Sequence, residues 1–511
     1  MNRKDVWLGG VCAAASLWAL WPTWIDARLV PANYGDLYAY HYPMRHLVVE
    51  TLQQGRLPFW NPYIFSGLPL AANPQSALFY PLSVFAAIWP LALAFSWDML
   101  FHLAWAMLGV ALLARRSRLP AAAAWTLALL YALSPFVVYR IAEGIPTLLA
   151  SLAWVPWCWL AWMSGRSGWL GAAWALQLLS GHPQFMVVNA AGMALWAACS
   201  PRRLVMGRTL AREGVWALGL AAAQCAMTSE FVNRSVRRSW PTVYSLGYSL
   251  EPAALRSLLW PGFSGDPASG TFAGPPSVFF ETYGLWIGLV GLGAAVGGLC
   301  IKRRRWGAAA LIAAGVVLAS GAQGPLGRLA LAGALSLLRT PARWLLLSLW
   351  GLLLGAGVGL AWACRRGRLA AVAVLALVVV ELGSWDARFL NTERVMDFMQ
   401  ANPLFAATFG GAPHRLITDP ELANSNKTVL YHARNANGYE AFYLDGYPQY
   451  VSRSEGKAAA DASRTYLNRL GTPELDRLGV LWKVSPQGLE TSVSAKPLVY
   501  FMGDTGRAAI A

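Results

Sequence analysis

The feature that most constrains the fold is a series of eleven apolar segments that recurs through the first three quarters of this 511-residue chain. A helix that crosses a bilayer core about 30 Å thick needs about 20 apolar residues. The segments that approach this length lie near 5–24, 92–114, 119–139, 145–164, 167–181, 183–199, 214–229, 279–300, 306–321, 343–363 and 369–385. Several are shorter than this, so they must tilt or thin the bilayer locally. The sequence predicts an all-α polytopic membrane protein with about eleven transmembrane helices.

The composition supports this class. The chain is 56% hydrophobic and only 13% charged, whereas soluble domains carry about 25% charged residues. The first segment lacks a small-residue cleavage site and further spans follow it, which favours a membrane anchor over a removed signal peptide. All six cysteines lie in or beside apolar segments without metal-ligand spacing. We therefore expect neither disulfides nor a zinc site.

The net charge of +16 is distributed unevenly between alternate loops. The loops assigned to one side carry 17 basic residues and two acidic ones, while the region from residue 386 onward carries 13 of each. This asymmetry follows the positive-inside rule and not the pattern of a nucleic-acid-binding protein. It predicts a cytoplasmic N-terminus, an extracytoplasmic C-terminal region and no nucleic-acid partner.

This topology predicts two domains, a membrane domain over 1–385 and a small extracytoplasmic α/β domain over 386–511. The α/β domain is predicted from three strand-like stretches, "HRLIT", "KTVLYHA" and "VLWKV". The outer pieces of the membrane domain are a long first loop at 25–80, turns at 140–146 and 181–183, a loop at 230–278, and a re-entrant or interfacial region at 322–342. No internal repeat is evident.

The first outer loop contains the densest group of ionisable residues, namely Asp36, His41, Arg45 and Glu50. Residues 44–54 form an amphipathic pattern that predicts a helix lying in the headgroup region. Aromatic side chains after it are typical of an interfacial anchor; they are Trp60, Tyr63, Phe65, Phe79 and Tyr80. The simpler interpretation is an aromatic belt alone, but a belt does not require the four ionisable residues.

Ionisable residues also occur within or beside the apolar segments, where they are candidates for function. Asp98 and His102 stand four apart and so share a helix face, either to support each other or to take part in catalysis. Glu143 beside Arg140 indicates an ion pair, or alternatively a second acidic site residue. His182 precedes a proline at the end of a span, where its ring could be free to point into an outer cavity or could cap the helix.

Five motifs resemble the YfhO-type bacterial membrane proteins, within the wider GT-C class of polytopic glycosyltransferases. They are "GDLYAYHYP" and "GRLPFWNPYIFSGLPLAANPQSALFYPL" in the first outer loop, "GHPQ" at 181–184, "LLRTPARW" at 337–344 and "NANGYEAFYLDGYPQY" at 435–450. The five motifs are spread over most of the chain, and their order and predicted outer placement agree with that family.

The resemblance implies transfer of a sugar from a polyprenyl-phosphate donor to an acceptor outside the cytoplasmic membrane. GT-C enzymes place an essential acidic residue early in the first outer loop, which here is Asp36, and we assign His41 to the same catalytic site. A carboxylate can remove the proton of the attacking acceptor hydroxyl, or it can hold Mg²⁺ or Mn²⁺ against the donor phosphate. No Asp-x-Asp pair is present, so we favour metal-free base catalysis. The structural alternative for Asp36 is a helix cap.

The departing polyprenyl phosphate needs positive charge, which arginine supplies with a planar fork of donors. The candidates are Arg339, Arg343, Arg140 and the cluster Arg234, Arg237 and Arg238. For Arg339 and Arg343 the alternative is an interfacial anchor. Residues assigned to support or substrate contact are His182, Gln184, Glu143, Asp98, His102, Trp60 and Asn61. The tyrosines of 435–450 could stack on sugar rings, but bracing of the C-terminal domain is favoured.

The expected function is therefore that of a multi-pass glycosyltransferase of the bacterial inner membrane. Its partners would be membrane lipids, a polyprenyl-phosphate-linked sugar and an envelope glycan or lipid acceptor. One alternative is a transporter or lipid flippase, although transporters concentrate polar residues near the bilayer midplane and often contain repeats. The other alternative is a non-catalytic envelope assembly protein.

Overall fold

A computed structural model describes residues 28–29, 35–239, 242–301, 305–324, 338–390, 393–394, 403–419, 424–461, 463–501 and 508–510. Two compact units share the chain. The first comprises 1–35, 92–222 and 242–394, and the second comprises 36–91, 223–241 and 395–511. The first apolar segment, 5–24, and most of the apolar stretch at 326–338 lie outside the described residues. The predicted anchor and re-entrant region are therefore not described.

The first unit is built from helices. Those that form its body are Leu91–Arg116, Ala121–Ala132, Pro135–Ala142, Pro146–Ala153, Val155–Ser164, Trp169–Leu179, Pro183–Ala198, Arg203–Leu220, Gly288–Ile301, Arg305–Ala319, Leu345–Cys364 and Arg368–Asp386. Short helical turns connect them at Thr242–Ser245, Pro252–Leu258, Pro276–Thr282, Gly321–Gln323 and Pro341–Trp344. Strands Arg28–Leu29 and Glu393–Arg394 pair antiparallel.

Four of the described helical segments are long and apolar enough to cross a membrane, and the number rises to six if each bent helix pair is one span. The four are Leu91–Arg116, Pro146–Ser164, Pro341–Cys364 and Arg368–Asp386. The bent pairs are Ala121–Ala132 with Pro135–Ala142, and Arg203–Leu220 with Ala222–Asn233. Shorter apolar helices occupy three further predicted segments. These helices support a multi-pass membrane protein, while the number eleven stays a prediction.

Glycines at every fourth position bring the Leu345–Cys364 helix against two neighbours. A β-carbon on Gly351 would lie 2.6 Å from the Ala308 carbonyl oxygen, and one on Gly359 would lie 2.2 Å from that of Ala294. Between them, Gly355 would place a β-carbon 3.0 Å from the Ala295 carbonyl oxygen. Small residues at this spacing let helix backbones pack closely where lipid offers no hydrophobic driving force.

Substitution of Gly359 by alanine is expected to destabilise the first unit by about 1–3 kcal/mol, because the new methyl group would overlap a backbone carbonyl that has no rotamer to escape into. Thermal unfolding of the purified protein in detergent measures the effect. Gly293→Ala is the matched control, since its β-carbon meets nothing within 4 Å on the facing helix Gly288–Ile301. Equal melting temperatures for the two variants would contradict this close packing.

The second unit combines the first outer loop with the C-terminal region. Its helices are Leu37–His41 (a π-helix), Tyr42–Gln53, Pro74–Ser76, Pro81–Ala87, Ala222–Asn233, Val236–Ser239, Pro403–Phe409, Ser425–Tyr431, Gly446–Glu455 and Pro473–Arg477. Its strands are Trp60–Asn61, Leu68–Pro69, Arg415–Thr418, Arg434–Asn435, Val480–Ser485, Gly488–Thr491, Val499–Phe501 and Ala508–Ile510.

A four-stranded sheet forms the C-terminal part of this unit, in the order Arg434–Asn435, Arg415–Thr418, Val480–Ser485, Gly488–Thr491. The first two pairings are parallel and the last is antiparallel. The strands predicted from "HRLIT" and "VLWKV" are thus confirmed. The strand predicted from "KTVLYHA" is wrong, because Asn424 accepts a hydrogen bond from the Asn426 N–H and starts a 3₁₀-helix over Ser425–Tyr431.

The core of the second unit contains residues that the sequence analysis assigned to the membrane interface. The helix Tyr42–Gln53 forms as predicted, but its apolar face packs into the protein: Leu47 and Val48 are only 6% and 2% exposed. The ring of Phe65 stacks on Tyr443 with centroids 4.4 Å apart. The interpretation of this helix and of Phe65 as lipid-facing anchors is therefore wrong, since their apolar surface is already covered. Trp60, by contrast, is 52% exposed.

Candidate functional site

Asp36 lies at the N-cap position of the π-helix Leu37–His41, in the second unit, but its carboxylate does not cap the helix. Instead its Oδ1 accepts a hydrogen bond of 2.9 Å from the hydroxyl of Tyr439. The backbone carbonyl of Asp36 accepts the helix N–H groups of Tyr40 and His41. The helix therefore fixes the backbone of Asp36, while Tyr439 orients its half-buried carboxylate.

A buried polar network lies next to this pair along the chain. The Tyr40 hydroxyl donates to Glu440 Oε2 at 2.8 Å, and Asn73 Nδ2 contacts both the Tyr40 hydroxyl, at 2.6 Å, and Glu440 Oε2, at 2.8 Å. The rings of Tyr40 and Tyr439 meet edge to face at 6.0 Å. The network joins the first outer loop to the motif at 435–450 inside one unit. It supports the bracing role predicted for these tyrosines.

Burial governs the titration of this network. It raises the pKa of the Glu440 carboxyl to about 7, although hydrogen bonds from Tyr40, Asn73 and backbone N–H groups favour the ionised form. It also lowers the pKa of His41 to about 3, with the charge of Arg45 acting in the same direction. His41 is 5% exposed and its ring lies edge-on to Tyr40 at 4.9 Å. A buried, neutral imidazole of this kind suits packing better than proton transfer near neutral pH.

The contribution of Glu440 to the stability of the second unit is expected to fall as the pH rises from about 4.5 to about 7. Glu440 binds its proton more tightly in the folded protein than an ordinary glutamic acid of pKa 4.5. The folded state thus carries the extra proton within this window, and the stabilisation is complete below it. The difference between the pKa of Glu440 in the folded protein and its ordinary pKa corresponds to a stabilisation of roughly 3 kcal/mol.

Glu440→Gln should remove this contribution, because the amide keeps the shape of the side chain and does not titrate, so the difference in stability between the two proteins should change with pH. Melting temperatures of the wild-type and Glu440→Gln proteins across pH 4.5–7.5 measure the difference. Parallel curves for the two proteins would show that Glu440 keeps an ordinary pKa.

In the first unit, two of the predicted arginines, Arg140 and Arg343, belong to an ion-pair network that is largely buried. Arg140 Nη1 lies 2.6 Å from Glu143 Oε2 and 2.7 Å from Glu281 Oε2. Arg343 Nη2 lies 2.6 Å from Glu281 Oε1, and its Nη1 donates to Gln184 Oε1 at 3.2 Å. Two arginines and two glutamates therefore offset one another. The Arg140–Glu143 ion pair is present as predicted, whereas Glu281 was not identified from the sequence.

Gln184 connects this network to Arg339. Its Nε2 donates to the Arg339 carbonyl oxygen at 2.6 Å. The Arg339 guanidinium lies over the ring of Tyr244, 4.3 Å from its centroid, and near that of Tyr248 at 5.6 Å. Among the described residues, no acceptor bonds the Nε of Arg339. Arg339 thus keeps a cationic group that no described carboxylate neutralises.

His182 occupies the N-cap position of the helix Pro183–Ala198, but its side chain makes no capping hydrogen bond. It is 8% exposed, and its Nδ1 lies 3.0 Å from the Thr147 hydroxyl. Its carbonyl accepts from Ser151 Oγ at 3.1 Å. The prediction of a ring free to point into a cavity is therefore wrong, because the side chain is buried and its Nδ1 is engaged by the Thr147 hydroxyl.

The remaining predicted site residues make contacts outside the two networks described above. His102 Nδ1 contacts the Asp98 carbonyl oxygen at 2.7 Å and its Oδ1 at 3.3 Å, so the two share a helix face as expected. Asn61 is fully buried and its Oδ1 accepts the Tyr63 N–H. In the second unit, the Arg237 guanidinium lies over Phe442 at 4.5 Å, and Arg238 is exposed.

No protein-family model matches the sequence, and neither does any curated protein. Among solved structures, the chain is similar to the arabinofuranosyltransferase AftD from mycobacteria, with a TM-score of 0.56 and 15% identity over 100% of this chain and 38% of that one. It is also similar to the oligosaccharyltransferase AglB from Archaeoglobus fulgidus, in complex with an inhibitory peptide and dolichol-phosphate. The TM-score is 0.51 and the identity 12%, over 94% of this chain and 69% of that one.

Both structures are GT-C glycosyltransferases. At these identities the likeness shows the fold, so the predicted GT-C architecture is confirmed. The chain spans little more than a third of AftD. The resemblance to the YfhO-type family stays a prediction based on the motifs.

Proposed function

We propose that the protein is a membrane glycosyltransferase that moves a sugar from a polyprenyl-phosphate donor to an extracytoplasmic envelope acceptor, with Asp36 as the base. The observation that carries the proposal is the Asp36 carboxylate, which Tyr439 orients at 2.9 Å and which does not cap its helix. A GT-C fold and the early position of Asp36 in the chain agree with this role. The positive-inside pattern supports an extracytoplasmic C-terminal region, where such an acceptor would be reached.

In the proposed reaction, the acceptor hydroxyl attacks the anomeric carbon of the donor sugar and gives its proton to Asp36. The bond between the anomeric carbon and the phosphate oxygen breaks, and the polyprenyl phosphate leaves with the bonding electrons. The hydroxyl of Tyr439 holds the carboxylate in one orientation, which reduces the cost of reaching the reactive geometry. The proton then passes from Asp36 to solvent.

We retain metal-free base catalysis as the proposal, since no second acidic residue stands two positions after Asp36. Mg²⁺ is commonly held by one or two carboxylates together with substrate phosphates. The described residues contain no group of three potential ligands that includes Asp36, and the nearby Glu440 is engaged by Tyr40 and Asn73. The proposed reaction therefore includes no metal ion at this position.

Within the first unit, Arg339 is a better candidate for binding a phosphate than Arg140 and Arg343. The latter two are already paired with Glu143 and Glu281, so their charges are largely offset. Arg339 keeps an Nε without an acceptor among the described residues, and two tyrosine rings restrict its motion. Arg140, Arg343 and Gln184 would then position Arg339 through its carbonyl group. Arg237 and Arg238 are the candidates in the second unit.

The proposal is tested by incubating the purified protein with an extract of lipid-linked sugars and bacterial envelope material, followed by mass spectrometry of the products. A glycosyltransferase yields a sugar-bearing acceptor together with released polyprenyl phosphate. A flippase would instead move the intact lipid-linked sugar across a liposome membrane without breaking it, and an assembly protein would do neither. Unchanged donor after prolonged incubation with a full set of envelope acceptors would contradict the proposal.

A further inference from the structure

A second group of ionisable side chains lies in the second unit, apart from Asp36. It consists of His46, Glu50 and His432, and one potential ligand atom from each lies within 4.8 Å of the other two. The closest pair is His432 Nε2 and Glu50 Oε2, at 2.8 Å. The sequence analysis assigned no role to His46 or His432 and expected no zinc site.

The backbone holds each of these side chains in place. His46 and Glu50 are four residues apart in the helix Tyr42–Gln53, so they project from one face. His432 follows the 3₁₀-helix Ser425–Tyr431 in the left-handed conformation, at φ 53°. Its N–H donates to the Val429 carbonyl at 3.1 Å, and its own carbonyl accepts from the Gly411 N–H at 3.2 Å. The convergence therefore does not depend on the ion pair alone.

The group is also accessible. The side chains of His432 and Glu50 are 41% and 29% exposed, so water can reach the space between them. The ring of Tyr63 lies 5.6 Å from that of His432 and covers one side. Three protein ligands with an approach for water match the coordination of Zn²⁺ sites that keep an open fourth position.

We propose that His46, Glu50 and His432 bind Zn²⁺, with water as the fourth ligand. Two imidazoles and one carboxylate favour zinc over Mg²⁺ or Ca²⁺, which prefer sites built from oxygen atoms. A simple ion pair between His432 and Glu50 would not need His46 within the same 4.8 Å. The ion would clamp the helix of the first outer loop to the C-terminal region.

This site is distinct from the proposed catalytic carboxylate. Ten residues separate Asp36 from His46 along a helical segment, which corresponds to about 15 Å. The inference does not depend on sugar transfer, and its test uses no activity measurement. Binding of zinc would stabilise the folded chain in proportion to the free metal concentration.

The test is zinc binding to the full-length protein in detergent after removal of metals with a chelator. Equilibrium dialysis against Zn²⁺, read by elemental mass spectrometry, is expected to give one zinc per chain, and added zinc should raise the melting temperature. Loss of even a residue that only orients a ligand costs about 10- to 100-fold in metal affinity. We expect His46→Ala, Glu50→Gln and His432→Ala each to weaken binding by more than that.

His414→Ala is the matched control, because His414 lies in the same unit against Trp482 and outside the group. It should bind zinc like the wild type, and a large excess of Mg²⁺ should not displace the metal. Circular dichroism without metal verifies that each variant folds, and Glu50→Gln, which keeps the side-chain shape, stands in for any alanine variant that does not. Less than one zinc per wild-type chain, or equal binding by the control and the three ligand variants, would overturn the proposal.

Discussion

Replacement of Asp36 by asparagine is expected to lower sugar transfer by about 10²- to 10⁴-fold, the range that a positioned general base contributes. Asparagine keeps the size of the side chain and can still accept the hydrogen bond from Tyr439, but it cannot take a proton from the acceptor. The rate of product formation, followed by mass spectrometry at saturating donor, measures the loss. The amount of folded protein in the membrane should not change.

The control for this variant is Asp445→Asn, which alters an exposed aspartate in the same unit. It should transfer sugar at the wild-type rate. Wild-type activity in Asp36→Asn would remove Asp36 from the chemistry, even if the protein is a transferase. An inactive Asp36→Asn protein that is also misfolded would be replaced by Tyr439→Phe, which deletes the orienting hydroxyl and should reduce the rate without abolishing it.

The second large effect is expected at Glu281, where glutamine should destabilise the first unit by about 3–5 kcal/mol. The carboxylate of Glu281 contacts both Arg140 and Arg343 at 2.6–2.7 Å, and it is 5% exposed in its side chain. Without it, Arg140 keeps Glu143, but Arg343 keeps only the hydrogen bond to Gln184. A guanidinium that is only 12% exposed is costly without a carboxylate, because it has lost most of its hydration.

Thermal unfolding in detergent measures this effect, and Glu230→Gln provides the comparison. Glu230 pairs with Arg234, but both side chains are about 70% exposed, so its loss should cost less than about 1 kcal/mol. The double variant Glu281→Gln/Arg343→Gln should recover part of the stability, since the unpaired charge is removed together with its partner. Equal melting temperatures for Glu281→Gln and Glu230→Gln would contradict the buried network.

Apolar length and periodicity predicted most helices of the first unit, because every helix buried in lipid must satisfy its own backbone. The segment 214–229 was misplaced, since it crosses the break between Arg203–Leu220 and Ala222–Asn233. The segments 92–114 and 369–385 match Leu91–Arg116 and Arg368–Asp386 to within a few residues. The assignment of surfaces was less accurate. Hydropathy cannot distinguish an apolar helix face that meets lipid from one that meets protein, so the packing of Leu47, Val48 and Phe65 was missed.

The candidate site was predictable where one residue stands out in its local sequence, and not where partners come from distant segments. Asp36 could be proposed as the base from its position in the first outer loop, and its catalytic role stays a prediction. Glu440 and Asn73 could not, because their hydrogen bonds span more than 360 residues of chain. Glu281 could have been predicted, because it is an acidic residue at the edge of an apolar segment, where a buried partner is expected.

The discontinuous composition of the second unit has a consequence for biosynthesis. Residues 36–91 leave the ribosome long before their partners in 395–511 exist. At about 5–20 residues per second, the delay between residue 91 and residue 439 is roughly 20 to 70 s. Throughout that interval the nascent loop exposes Phe65 and its apolar neighbours, so chaperones have time to engage it. A truncated product ending before residue 395 would keep that surface uncovered permanently, and quality-control proteases would be expected to degrade it.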